Sequence, residues 1–267
     1  MAYDGGKSGA GVFHSLINLM PRHTLYIEPF LGNGGILRRK LPAAQSIGID
    51  LDPAALKLWS GREIPHLTLL CTDAFTWLKR TFLESSPKKA MRSRRHPSTA
   101  TLIYLDPPYL FSTRRRQTRP TYHCELSDHQ HRQLLALLLA ITRRHPCVMI
   151  MISGYPSDMY SQALAGWRTA SFQAMTRAGV RATEIVWMNF PPPLELHDYR
   201  FLGQNFRARE KLKRRRQRWS ARLKSLPHLE RLALMHALQE LLNSEPVEGL
   251  ASPPSEIPAE SPSCPSC

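Results

Sequence analysis

Asp106-Pro107-Pro108-Tyr109 puts a carboxylate, two prolines and an aromatic ring directly behind the apolar run Thr101-Leu102-Ile103-Tyr104-Leu105. The run is short and apolar, with Ile and Tyr in it, and reads as a buried strand. Proline ends it, because proline has no N–H for a ladder and confines the residue before it to extended geometry. Asp106 is therefore held at the carboxyl end of a strand, where open α/β sheets bind their ligands. The Pro-Pro peptide presents carbonyl acceptors with no N–H between them, and Tyr109 adds a flat π-face. Such a group suits a planar ligand with an exocyclic amino group, whose N–H bonds the acceptors would take while the ring stacks. The same residues also read as a strand closed by a proline turn, with Asp106 as a cap.

Other strand ends carry similar chemistry. Thr24 to Phe30 reads as a strand running into Glu28-Pro29-Phe30-Leu31-Gly32-Asn33-Gly34-Gly35. Gly32 and Gly34 remove side chains where something must come close to the backbone, and Glu28 supplies a carboxylate. Leu37 occupies the third glycine position of the dinucleotide fingerprint, which excludes that motif. Ser46 to Leu51 is the next strand, with Asp50 at its end. Pro53 at a first helical turn makes Asp52 the cap and leaves Asp50 able to accept from two ribose hydroxyls. Leu67 to Thr72 ends in Asp73, which either caps a helix from Ala74 to Leu83 or meets an adenine amino group. Gly5-Gly6-Lys7-Ser8 opens a helix with Phe13, Leu16, Ile17 and Leu19 as its apolar face, and reads as a candidate anion site. It is not a P-loop, since Walker spacing requires glycine where Met1 stands.

The elements that position these groups alternate between strands and helices. Ser127 to Arg144 is the strongest helix, capped by Ser127 and apolar at Leu134, Leu135, Leu138 and Ile141. His129 and His131 lack ligand spacing and read as surface residues. Cys147 to Ser153 is another buried strand, ending at Gly154-Tyr155 on the same rim as Asp106. A helix near Met159 to Leu164 follows, then Trp167 to Ala174 and Thr183 to Asn189 as an antiparallel pair around Arg177-Ala178-Gly179. Phe206 to Lys224 is a basic helix, Leu229 to Leu242 a second one, and the Pro/Ser-rich remainder buries too little apolar surface to order.

With 267 residues, the chain has room for one α/β domain and an appendage. A formal net charge of +15 predicts attraction to a polyanion, nucleic acid before anionic membrane. No apolar run approaches a bilayer span and the N-terminus has no apolar signal region, so the cytoplasm is the expected location. Two basic segments flank the central strand: Lys88, Lys89, Arg92, Arg94 and Arg95 within 85–98, and Arg114, Arg115, Arg116 and Arg119 leading to Tyr122 and His123. Their cations suit phosphates and their aromatics suit bases. Cys71, Cys124 and Cys147 read as reduced thiols. Cys264 and Cys267 form a CxxC without a second pair or nearby histidines, and no metal is expected.

Taken in order, Gly5-Gly6-Lys7, Glu28 to Gly34, Asp50, Asp73 and Asp106 to Tyr109 resemble the S-adenosylmethionine-dependent DNA N6-adenine methyltransferases. There too the lysine-bearing motif precedes the glycine motif. Small phage and prophage members are similar also at Ser112-Thr113-Arg114, Ser153-Gly154-Tyr155-Pro156-Ser157, Gly166-Trp167-Arg168 and Thr183-Glu184-Ile185-Val186-Trp187-Met188-Asn189. The resemblance covers most of residues 3–225. It implies a Rossmann-like class I methyltransferase fold, a mostly parallel twisted sheet of about seven strands with helices on both faces. That domain would span 1–200 with a basic loop inserted at 85–98, followed by a basic helical extension over 201–243 and a tail over 244–267.

The resemblance implies the sites as well. Tyr3, Gly6 and Lys7 would contact S-adenosylmethionine, with Tyr3 standing where the family often has tryptophan. Glu28, Pro29 and Phe30 would belong to the cofactor site with Gly32 and Gly34, which admit the methionine moiety. Asp50 would hold the ribose and Asp73 the cofactor adenine, with Asp106 also belonging to the cofactor site. Asp106 and the Pro107 carbonyl would accept from the N6 amino group of an adenine flipped out of double-stranded DNA, with Pro108 completing the motif and Tyr109 stacking on the base. Asp106 is then an orienting acceptor rather than a strong base. Lys88, Lys89, Arg92, Arg94, Arg95, Arg114, Arg115, Arg116, Arg119 and Tyr122 would contact DNA, and the protein would act as a monomer.

One departure bears on specificity. Relatives with this motif order carry a sizeable target-recognition region before Asp-Pro-Pro-Tyr, where this chain has only the 85–98 loop. Base reading then falls to that loop, to Arg114 to His123, or to the C-terminal basic helix, and the target is expected to be short or relaxed. RNA methylation at adenine N6 or guanine N2 shares the Asp-Pro-Pro-Tyr motif and is the nearest alternative. Protein-glutamine methylation fits less well, because Asn typically replaces the residue at Asp106. A non-catalytic nucleic-acid-binding module on the same fold is the alternative from another class.

Overall fold

The computed structural model describes residues 7, 11–61, 63–84, 100–113, 124–175 and 181–244. Seven strands form one sheet: β1 (Leu25–Pro29), β2 (Gln45–Asp50), β3 (Leu67–Cys71), β4 (Thr101–Leu105), β5 (Val148–Gly154), β6 (Arg168–Met175) and β7 (Arg181–Met188). Their spatial order is β3-β2-β1-β4-β5-β7-β6. The first five strands are mutually parallel, and β7 runs antiparallel to both β5 and β6. Parallel strands require crossovers, and α2 (Pro53–Lys57), α3 (Ala74–Leu78) and α4 (Asp128–Arg144) lie in those from β2 to β3, β3 to β4 and β4 to β5, while α1 (Val12–Ile17) precedes β1 and α5 (Asp158–Ala163) follows β5. This is the Rossmann-like α/β arrangement that the alternating pattern and the resemblance led us to expect.

Two apolar cores sandwich the sheet. Alternation along β4 sends Leu102 and Tyr104 to one face, with Leu16, Ile17 and Met20, and Ile103 and Leu105 to the other, with Leu134, Leu138 and Ile141 of α4. β4 is buried at every position, as expected of a strand covered on both faces. Local chemistry sets the ends of its partners. Asp52 caps α2 through the Ala54 N–H with Pro53 behind it, and Ser127 and Gln130 form a capping box on α4. α3 ends at Leu78 and continues as a π-helical turn over Lys79–Glu84, one piece with the helix predicted to Leu83.

His131 corrects the surface assignment made for it. It is fully buried and its Nδ1 lies 2.9 Å from the Tyr160 hydroxyl. The reason is helical period: His131 shares the face of Leu134, Leu135 and Leu138. Helices α6 (Phe206–Ser225) and α7 (His228–Ser244) follow the sheet. By contacts the chain divides within α6 into two compact units, Met1–Arg215 and Arg216–Cys267. Among the described residues no helix is long and apolar enough to cross a membrane. The basic segments 85–98 and 114–123, the turn at Arg177-Ala178-Gly179 and the tail from 245 lie outside the described residues.

Gly34 has φ +56°, and a Cβ built there would fall within the indole of Trp59. Its missing side chain therefore makes room for Trp59, whose Nε1–H donates to the Gly32 carbonyl at 3.2 Å. Gly34→Ala combines overpacking with a left-handed backbone and should destabilise the fold by about 1–3 kcal/mol. Thermal unfolding measures this, and an unchanged midpoint would contradict the packing described.

Candidate active site

The parallel strands all end on one edge, and their register decides which residues meet there. Leu25 pairs with Gln45 and with Thr101, so Phe30, Asp50 and Asp106 stand level as the strands run out. Leu105 pairs with Ile152, which sets Asp106 opposite Ser153. β7 enters from the opposite direction, so its early residue Glu184 reaches the same edge while Val186 and Met188 stay in the core. A carboxylate in the first half of an antiparallel strand thus joins one placed after the end of a parallel strand.

Lys7 lies between them. Its ammonium donates to Glu184 Oε2 at 2.6 Å, is 3.1 Å from Asp106 Oδ1 and also bonds the Tyr109 hydroxyl. Tyr109 in turn donates to Glu184 Oε2 at 3.0 Å, and Lys7 Nζ lies 4.6 Å from the centre of its ring. The side chains of Lys7, Glu184 and Asp106 are 8 %, 9 % and 20 % exposed. Burial opposes the Lys7 charge, but Asp106 and Glu184 outweigh it and hold the ammonium above its ordinary pKa. By formal charge the group is one ammonium against two carboxylates. Gly35 lets it form, since a Cβ there would sit 3.1 Å from the Lys7 backbone nitrogen.

A polar chain supports Asp106 from inside the sheet. The Ser153 hydroxyl donates to Asp106 Oδ1 at 2.9 Å, and the Tyr104 hydroxyl lies 3.1 Å from Ser153 Oγ. On the same face Tyr26 donates to Glu28 Oε2 at 2.8 Å, and the Leu37 N–H bonds that oxygen at 3.2 Å. Burial pushes the Glu28 carboxyl up to about 8. Burial also lowers the Lys40 ammonium to about 7, against the pull of Glu28 and Asp198; Lys40 sits over the Tyr26 ring.

The remaining expected positions divide clearly. The Asp50 carboxylate accepts backbone N–H bonds from Gly32 at 2.7 Å and Asp52 at 2.9 Å, on different oxygens, with the Leu51 N–H as a further backbone donor, and a carboxylate has about four acceptor positions in all. Phe30 adopts φ +66°, a strained conformation for a side chain of its size, and meets Phe75 edge-on. Pro29 is buried at the end of β1, Pro107 is buried and Pro108 half-buried. Asp73 caps α3, accepting from the Thr76 N–H and hydroxyl at 2.8 Å each. Tyr3, Gly6, Lys88, Lys89, Arg92, Arg94, Arg95, Arg114, Arg115, Arg116, Arg119 and Tyr122 lie outside the described residues. Beyond Tyr109 and Tyr155, whose rings meet edge-on at 4.7 Å, a cavity of about 490 Å³ opens between Leu110, Ser112 and Thr113 on one side and Pro156, Ser157 and Met159 on the other. Among the described residues no group of His, Cys, Asp or Glu gathers as metal ligands.

Sequence reading assigned no role to Glu184, Ser153 or Tyr104. A signal existed for Glu184, a charged residue in an apolar strand at the parity of Val186 and Met188. For Ser153 and Tyr104 the signal was only their strand parity with Asp106.

No protein-family model matches the chain, and no curated protein matches its sequence. Solved structures do. A precorrin 8w decarboxylase from Methanobacterium thermoautotrophicum is 13% identical over 70% of this chain and 98% of its own, with a TM-score of 0.38. A SAM-dependent methyltransferase from Agrobacterium tumefaciens is 15% identical over 67% of this chain and 60% of its own, with a TM-score of 0.40. An rRNA methylase from Streptococcus thermophilus is 11% identical over 66% of this chain and 92% of its own, with a TM-score of 0.38.

The raised pKa of Glu28 has a thermodynamic sign. The folded state holds this proton more tightly than the unfolded chain, so the contribution is full below pH 4.5 and is lost as pH rises through about 8. Glu28→Gln cannot ionise. Relative to the wild type it should gain stability progressively between pH 4.5 and 8 in urea titrations. A difference constant across that window would contradict the buried neutral carboxyl.

Proposed function

We propose that this protein transfers a methyl group from S-adenosylmethionine to the N6 amino group of an adenine flipped out of double-stranded DNA. The observation that carries the reading is the position of the Lys7 nitrogen. Asp106 and the Tyr109 hydroxyl together hold an N–H-bearing group at the carboxyl edge of the sheet, which supports acceptors placed there for the amino group of a substrate. The cofactor fits the residues present. Asp50 retains acceptor capacity for the ribose diol, and a formally anionic cluster suits a sulfonium cation. When bound, S-adenosylmethionine supplies an electrophilic methyl carbon.

The chain's own residues do the rest. Asp106, steadied by Ser153, accepts one N–H of the target amine, and the Pro107 carbonyl takes the other. With its N–H bonds so directed by Asp106 and the Pro107 carbonyl, the amine would turn its lone pair out of conjugation and toward the methyl carbon that S-adenosylmethionine would supply. The proton that the amine must shed would leave along its hydrogen bond to Asp106 and pass to solvent. Tyr109 stacks on the base and offsets part of the few kcal/mol lost on unstacking. The cavity beside Tyr109 and Tyr155 leaves room for the nucleotides around the extruded base. Tyr3 and Gly6 complete the cofactor side in this reading, and Asp73 is left to its capping role.

Labelled methyl transfer to unmethylated genomic DNA, followed by nucleoside analysis, tests the proposal. N6-methyladenine from the wild type is expected, with Asp106→Ala lowering turnover at least about a hundredfold. Label found only in structured RNA offered in competition would replace DNA by RNA as substrate. In calorimetric titration Asp50→Ala should lose S-adenosylmethionine affinity, and a wild type that binds no cofactor would end the enzymatic reading.

A further inference from the structure

Helix α6 concentrates charge to an unusual degree. Its twenty residues hold ten Lys and Arg side chains against the one carboxylate of Glu210, a formal +9 out of the chain's +15. Arg207, Lys211, Arg214, Arg215, Arg218 and Arg222 recur every three or four residues and so line one face. All six are exposed. Among the described residues the ion pair on this helix is Glu210 to Lys213 at 3.7 Å, and neither belongs to that face. Leu212, Trp219 and Leu223 run along another side.

Repulsion between like charges four apart works against the helix when it stands alone, and a polyanion removes that cost. The start of α6 is firmly set. Asn18 Nδ2 donates to the Phe201 carbonyl at 2.6 Å, and the Asn205 side chain accepts from the Ala208 N–H at 2.9 Å as an N-cap. From Arg207 to Arg222 the face extends about 22 Å, a length along which one strand of duplex DNA carries about six phosphates.

We infer that the Arg207–Arg222 face of α6 docks on the phosphate backbone of the nucleic acid, giving the protein sequence-independent grip. The inference rests on the proposed action on DNA. Phosphate oxygens are the acceptors, and arginine forks are suited to them. The face reads no base.

The test uses the full chain with Arg214→Gln, Arg215→Gln, Arg218→Gln and Arg222→Gln combined, exposed changes that keep helix propensity. Fluorescence anisotropy with a labelled duplex across a salt series should show the slope of log Kd against log salt falling by roughly three to four, with affinity at least about tenfold weaker near physiological salt. S-adenosylmethionine affinity and kcat at saturating DNA should be unchanged while KM rises. A wild-type slope in the variant would overturn the inference. So would loss of binding to phosphatidylserine vesicles with duplex binding intact, which would assign the face to a membrane. Failure of the methylation reading is distinguishable: the wild type would then transfer no methyl group, whatever its salt slope.

Discussion

The structure depends on an ammonium buried between two carboxylates. Lys7 is almost wholly removed from water, where an uncompensated charge would cost several kcal/mol, and Asp106 and Glu184 supply the compensation. Such an arrangement tolerates little displacement, so each partner is fixed by something stiffer than itself. Two prolines hold the Asp106 end of β4, antiparallel pairing holds Glu184, and Gly35 holds the Lys7 backbone by offering no side chain. The cluster therefore ties Lys7 to β7 and to the end of β4.

The same requirement explains the polar chain inside one face of the sheet. Tyr26, Glu28, Tyr104 and Ser153 stand at strand positions that would otherwise be apolar, and all are buried. Each finds a partner across or along the sheet. Burial makes protonation the easier state for Glu28, so the region beneath Asp106 carries a proton where an ordinary surface glutamate would carry a charge. The opposite face, packed on α4, is largely apolar and supplies chiefly hydrophobic stabilisation, with the His131–Tyr160 contact buried in it. One face serves the site and the other chiefly the fold.

Charge is also divided by place. The chain is strongly basic, yet the candidate site is formally anionic. On the proposed reading this separation lets basic surface attract a polyanion without neutralising the pocket that receives a cationic cofactor. A single basic helix holds most of the surplus, so the attraction has a location as well as a sign.

From the sequence alone, the strands, the proline stop after Leu105, the caps at Asp52 and Ser127 and the Rossmann-like class were legible, because each follows from period, backbone restriction or capping within a few residues. Asp50 and Asp106 were legible as strand-end acids for a related reason: a carboxylate behind an apolar run marks a strand end. Tertiary structure decided which of these groups touch. Glu184 meets a residue 177 positions away, and its arrival depends on β7 lying beside β5 in reverse, a pairing that no local pattern encodes. It likewise decided that Asp73 caps a helix and that the absent side chain of Gly34 accommodates Trp59. Local preferences are read along the chain, whereas these contacts follow from strand order and close packing across it.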